Sequence, residues 1–114
     1  MRTIEALFPM LIEKSADGSL SWKANETPKS GYSTKIGSNG VSVWEWKDPN
    51  DDTEGVTIGI LNDKEEMIDH LVVDQFSAKY PRASELYMTA RRSALGLDKV
   101  LDEIADQLKH LRPF

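Results

Sequence analysis

The feature that most constrains this chain is a periodic apolar pattern in its last third, Pro81–Leu111. Apolar residues recur there every three or four positions, which is the spacing of one face of an α-helix. They are Leu86, Ala90, Ala94, Leu97, Leu101, Ile104, Leu108 and Leu111. Because the preceding segment has the pattern of short strands, the sequence predicts an α+β fold in which a long C-terminal helix covers a small sheet.

Gly96 leaves open whether this segment forms one helix or two. A glycine inside a helix costs about 1 kcal/mol relative to alanine, and Asp98 could cap a second helix. Against a break, the apolar stripe keeps its phase across Gly96, which a loop of arbitrary length would disturb. We therefore predict one continuous helix with at most a kink at Gly96.

The N-terminal segment predicts a short helix that begins after Thr3 and ends at Gly18. Thr3 is a suitable cap, and Gly18 can adopt the left-handed conformation that closes a helix. The apolar residues on one helical face are Ile4, Leu7, Leu11 and Ile12. Pro9 lacks an amide hydrogen, so we expect the helix to kink there or to restart with Pro9 in its first turn.

Between the two helical segments the apolar period changes to two, which predicts strands. The four candidate strands carry Leu20 and Trp22, Tyr32 to Ile36, Val41 and Val43, and Val56 to Ile60. Met67–Val73 fits a strand or a short helix, and we favour a fifth strand. Asn25–Gly31 is a predicted loop, and the Asn39-Gly40 pair favours a tight hairpin turn. The prediction is thus an antiparallel meander of four to five strands, with both helices packed on one face.

Length and composition restrict the possible functions. A chain of 114 residues suits a single domain spanning residues 1–114. The net charge of −5 argues against binding to nucleic acid or to anionic membranes, and the lack of cysteine excludes thiolate chemistry. No apolar run is long enough to span a membrane, and Glu5 and Pro9 interrupt the apolar stretch that a secretory leader needs. We expect a cytoplasmic protein.

The candidate metal site is an acidic loop. Asp48, Asn50 and Asp52 alternate like the first ligands of a calcium loop, but Thr53 stands where that loop needs glycine and Gly59 where it needs glutamate. We interpret the segment as a solvated loop and predict no metal.

His70 follows Asp69, and an adjacent acid could orient an imidazole for base catalysis. Neighbours in a strand point to opposite faces, however, so Asp69 is poorly placed to orient the imidazole. His110 is the only other histidine, and the two have no metal-ligand spacing. We therefore predict neither catalytic residues nor a cofactor.

Trp44 and Trp46 lie on one side of their strand, and the register with the next strand decides whether that side is buried. If Lys47 pairs with Gly55, both tryptophans share a face with the apolar residues of the next strand and belong to the core. A slip of one residue places them on the outer face, as a binding patch. We favour the core for both, as well as for Trp22.

Three sequence elements resemble a group of small uncharacterised bacterial α+β proteins. They are Gly18-Ser19-Leu20-x-Trp22, Ile58-x-Ile60-x-Asn62-Asp63 and Leu86-Tyr87-x-x-Ala90-Arg91-Arg92-x-Ala94-Leu95-Gly96-Leu97-Asp98. The resemblance implies the meander with a final helix and assigns no activity or ligand. It draws attention to three polar positions, Arg91, Arg92 and Asp98.

Two function hypotheses follow. The favoured one is a non-enzymatic protein-interaction module, homodimeric in one form, that uses an exposed helix face or the strand of Trp44 and Trp46, with Arg91 and Arg92 available to grip an anionic group. The alternative is a small-molecule- or metal-binding protein or enzyme, with a pocket between sheet and helices near His70, Arg91 and Arg92. A phage or mobile-element protein that blocks a host factor would also suit a small acidic chain, although no residue requires it.

Overall fold

The computed structural model describes residues 2–26, 31–111 and 113. It confirms an α+β fold with one open sheet of five antiparallel strands in the order of the sequence. The strands are β1 (Lys23–Ala24), β2 (Gly31–Ile36), β3 (Asn39–Lys47), β4 (Glu54–Leu61) and β5 (Met67–Asp74). The helices are α1 (Phe8–Ala16), α2 (Tyr80–Ala94) and α3 (Leu97–His110). Most of the predicted loop before β2, residues 27–30, lies outside the described residues.

The N-terminal helix restarts at its proline. A short 3₁₀ turn, Glu5–Leu7, precedes α1, and Pro9 lies in the first turn of α1, where its missing amide hydrogen costs no helical bond. Thr3 Oγ1 accepts a hydrogen bond from the amide of Ala6 at 3.3 Å. Gly18 has a φ of +84° and follows the end of the helix, as predicted.

The β2–β3 hairpin is tight, but its turn lies two residues earlier than the Asn39-Gly40 pair predicts. Ile36 pairs with Asn39, so the loop consists of Gly37 and Ser38. Gly37 adopts a φ of +64° in the first loop position, where glycine has no steric cost. Gly40 therefore belongs to β3, and a Cβ there would lie 3.1 Å from the carbonyl oxygen of Thr34.

One face of the sheet forms the core together with α2. Val43 pairs with Ile58, and both are fully buried beneath α2, while α1 packs on α2. The buried apolar residues are Phe8, Leu11, Trp22, Val41, Val43, Val56, Ile58, Val73, Ala83, Leu86, Tyr87 and Ala90. The sequence therefore correctly predicts that helices cover one face of the sheet.

Trp22 belongs to this core, as predicted, and joins α1 to the chain that enters β1. Its side chain is 3% exposed, and its indole Nε1 donates a hydrogen bond to Ser15 Oγ at 2.8 Å. Ser15 in turn donates to the carbonyl of Leu11 at 2.5 Å. The indole N–H is thus satisfied inside an apolar environment, which burial of tryptophan requires.

The prediction of one continuous C-terminal helix is wrong. Gly96 has a φ of +63°, which ends α2 in a left-handed residue and makes Gly96 the N-cap of α3. Its amide donates to the carbonyl of Ser93 at 3.2 Å, and its carbonyl accepts from Val100 at 3.1 Å. The two residues between the helices preserve the phase of the apolar pattern in the sequence, although the chain changes direction.

Replacement of Gly96 should show the cost of this left-handed conformation. No atom lies within 4 Å of a Cβ added at Gly96, so Gly96→Ala should lose about 1–2 kcal/mol of unfolding free energy from backbone strain alone. Gly96→Asn should lose less, because asparagine tolerates the left-handed region. Urea unfolding measures both, and an alanine variant as stable as the wild type would contradict the bend.

Tyr87 is a buried titratable group in the core. Its side chain is 4% exposed, and its ring centroid lies 5.7 Å from that of Tyr32. Burial raises the pKa of the Tyr87 phenol well above its usual value, and the hydrogen-bonded carboxylate of Glu45 raises it further. The folded protein therefore holds this proton more tightly than the unfolded chain does.

The pH dependence of stability should reflect this phenol. An unfolded tyrosine ionises near pH 10, so the folded state binds more protons above that pH, and stability should fall as pH rises, by up to about 1.4 kcal/mol per pH unit. Urea unfolding of Tyr87→Phe between pH 9 and 11, the range around that pKa, should show a shallower decline than the wild type. Identical slopes in the two proteins would contradict the assignment.

Candidate interaction surface

Helix α3 extends away from the core with an uncovered apolar side. None of its residues is buried, and its apolar side chains are between 37% exposed at Leu97 and 62% exposed at Leu108, with Leu111 just beyond at 70%. In α2, by contrast, Leu86 and Ala90 are fully buried. The stripe that is continuous in the sequence is thus divided into a core half and a surface half.

The exposed half has the spacing of a coiled-coil seam. Its members follow one another in alternating steps of four and three residues, which is the a/d pattern of a heptad repeat. We call this set the α3 seam: Leu97, Leu101, Ile104, Leu108 and Leu111. The opposite side of the helix carries charged residues, namely Lys99, Asp102, Glu103, Asp106 and Lys109. The helix is therefore strongly amphipathic with nothing from the described residues covering its apolar side.

Arg92 holds the elbow between α2 and α3. Its Nε and Nη2 atoms donate to Asp98 Oδ1 at 2.9 and 2.5 Å. The pair places a cation in the last turn of α2 and an anion in the first turn of α3, and both positions complement the helix dipoles. With side chains 51% and 73% exposed, the pair adds little stability. The positive charge of Arg92 offsets the negative charge of Asp98.

Arg91 and Arg92 border an apolar groove at this elbow. Both are exposed, and the groove has a volume of about 390 Å³. Its apolar lining comes from Met88 and Leu95, which are 52% and 54% exposed, and from Leu97 of the α3 seam. The groove therefore continues the apolar surface of α3 toward the body. At its border, the Arg92 side chain is already paired with Asp98.

The prediction that Trp44 and Trp46 lie in the core is wrong. Lys47 pairs with Glu54 and Trp46 with Gly55, so the alternative register holds and both tryptophans lie on the face away from the helices, where they are half-buried. They cover glycines on β4. A Cβ at Gly55 would lie 2.5 Å from Trp46 Cζ2, and one at Gly59 would lie 3.3 Å from Trp44 Cζ3.

The outer face of the sheet is a second apolar surface. Val72 pairs with Thr57, which pairs with Trp44, and Val72 is 55% exposed. The Nε1 atom of Trp46 is buried and has no hydrogen-bond partner among the described residues, which costs about 1–3 kcal/mol. The two surfaces are separated by the sheet and α2, so they do not form a single site.

The sheet also separates His70 from the two arginines. His70 pairs with Gly59 on the outer face, whereas Arg91 and Arg92 belong to α2 on the core face. Asp69 accepts a hydrogen bond from the backbone amide of His70 at 2.8 Å, and His70 is exposed. The structure does not bring these three predicted site residues into one pocket.

In the acidic loop after β3, two carboxylates accept hydrogen bonds from backbone amides of the loop itself. Asp48 Oδ1 accepts from the amide of Asn50, and Asp51 Oδ1 accepts from the amide of Thr53, each at 2.9 Å. Hydrogen bonds from Thr53 hold the pKa of Asp51 below its usual value. Across the described ranges, no three acidic or histidine side chains gather as metal ligands would.

Comparisons with known proteins give no relative of this chain. No family model, curated protein or solved structure matches it. Within the part of the chain that the structure describes, no helix is long and apolar enough to cross a membrane.

The packing of Trp46 on Gly55 predicts a specific steric effect. A methyl group in Gly55→Ala would meet the indole and the rigid carbonyl of Val73, so we expect a loss of about 1–3 kcal/mol of unfolding free energy. Gly59→Ala is the matched control, because there the closest atom is the flexible end of Met67, at 2.7 Å, and the loss should be smaller. Urea unfolding followed by tryptophan fluorescence compares them. Equal losses would contradict the packing described here.

Proposed function

We propose that this protein is a non-enzymatic interaction module that binds another protein chain through the α3 seam. The observation that carries the proposal is the exposure of all five seam side chains, none below 37%. A helix of 14 residues is marginal in water without tertiary packing. Contact with a partner would supply the packing that the described part of this chain does not.

The chemistry of α3 favours a protein over other partners. Helices that lie on membranes carry mainly Lys and Arg on their polar face, whereas on the polar side of α3 the acids Asp102, Glu103 and Asp106 outnumber the lysines Lys99 and Lys109. Anionic lipids and nucleic acid backbones would be repelled by these carboxylates. A seam with heptad spacing is complementary to an apolar helix or helical groove of another protein.

The spacing of the side chains supports the same choice. Successive seam residues lie on one side of the helix and have the a/d spacing by which helices of coiled coils contact each other. The groove of Met88 and Leu95 extends this stripe past the elbow. A partner can therefore contact α3 and the end of α2 together.

A pair of double variants tests whether the seam is an interaction surface. Leu101→Gln with Ile104→Gln removes two central seam side chains without a change of charge. Lys99→Gln with Glu103→Gln is the matched control on the polar side, and it also leaves the net charge unchanged. Both should change the unfolding free energy of the dilute protein by no more than about 0.5 kcal/mol, because all four side chains are exposed.

The same variants differ in binding. When immobilised, the wild type and the control variant should bind the same partner chain, which is either a copy of this protein or another protein. The immobilised seam variant should not bind that chain. A loss of about 2 kcal/mol or more in the seam variant alone, measured by urea unfolding at high dilution, would instead identify the seam as part of the core. That result would contradict the proposal.

A further inference from the structure

We infer that the partner of the α3 seam is the α3 helix of a second copy of this chain, running antiparallel, so that the protein is a homodimer. This inference rests on the proposed function and identifies the partner. In an antiparallel pair, a positions face d positions. Leu97 then faces Leu108 of the second copy, and Leu101 faces Ile104. Every seam residue of α3 then faces an apolar residue of the second copy, and no polar residue lies between the two helices.

The positions that flank the seam permit self-association. In an antiparallel homodimer identical flanks approach each other, so charges of one sign there would oppose pairing. Val100 and Gln107 flank one side, and Asp98 and Ala105 flank the other. The only flanking acid, Asp98, is already paired with Arg92. The remaining acids of α3 lie on its far side, so a chain of net charge −5 can pair with itself here.

The charges along α3 favour the antiparallel orientation. Asp98 in its first turn is already paired with Arg92, whereas Lys109 and His110 give its last turn a basic character. A parallel pair brings the two basic ends together, and an antiparallel pair separates them by the length of the helix. Antiparallel pairing also aligns the helix dipoles favourably and keeps the two acidic bodies at opposite ends.

The groove at the elbow extends the interface. In the antiparallel register, Leu111 of the second copy lies beyond Leu97 and next to the end of α2. Met88 and Leu95 line the groove there and are half exposed. Each copy would thus place the end of its α3 against the α2 of the other, which makes the contact longer than the α3 seam alone.

Light scattering and cross-linking test the dimer and its orientation. The scattering mass of the wild type should rise with concentration to twice the 12.8 kDa of the chain. The Leu101→Gln/Ile104→Gln variant should raise the dissociation constant at least about 100-fold, as expected when four apolar side chains leave one interface. The Lys99→Gln/Glu103→Gln control should leave it unchanged.

Single cysteines then report the orientation, because the chain has none of its own. A mixture of Leu97→Cys chains with tagged Leu108→Cys chains should form the mixed disulfide under mild oxidation. Each variant alone should not, since residues 97 and 108 are separated by about 16 Å along a helix, which is too far for a disulfide between equivalent positions. If disulfides form between chains of the same variant and the mixed disulfide does not form, the helices pair in parallel. That result would overturn the orientation.

Two further outcomes separate this inference from the proposed function. A wild type that stays monomeric at all concentrations, with a seam variant of unchanged stability, would overturn self-association while the seam still requires a different partner. A monomeric wild type whose seam variant is strongly destabilised would overturn both, because the seam would then belong to the core of the single chain.

Discussion

The pairing of Trp46 with Gly55 is the constraint on which the rest of the structure depends. This register directs the valines and isoleucines of β3 and β4 toward α2, where Val43 and Ile58 are fully buried. It directs the two tryptophans to the opposite face, because successive side chains of a strand alternate. A shift by one residue would exchange the two faces. The position of α2, and therefore that of the elbow and of α3, follows from this one choice.

Much of the fold is predictable from the sequence because its signals are local. The period of two in β2 to β5, the proline in the first turn of α1 and the glycine after it depend on a few neighbouring residues. Register is harder to predict, because it depends on how the loop between β3 and β4 closes. In the structure the Asp48 amide donates to the Thr53 carbonyl at 2.7 Å, and this bond brings Lys47 opposite Glu54. The signal that could have found it is the placement of Gly55 and Gly59, which make room for two indoles on the outer face.

The break at Gly96 shows a different limit. The apolar residues keep a helical spacing across Gly96 because the connection between α2 and α3 has only two residues. This spacing is the same whether or not the helix is continuous. Burial depends on the tertiary structure, because α2, with α1 packed on it, already covers the core face of the sheet. The same apolar pattern thus has two roles, as core in α2 and as an uncovered seam in α3. The sequence predicts the outer-face position of Trp44 and Trp46 only in its alternative register, and it predicts the apolar pattern of α3 but places that helix on the sheet.

Helix α3 extends from the body and is not folded onto it. The radius of gyration of the chain is 16.6 Å and its longest dimension 60 Å, whereas a compact domain of this length has a radius of gyration of about 13 Å. Small-angle X-ray scattering of the wild type, extrapolated to zero concentration where the monomer prevails, measures this difference directly. A radius of gyration near the larger value is the result that an extended α3 predicts. A value near the compact one would show that α3 covers its own seam.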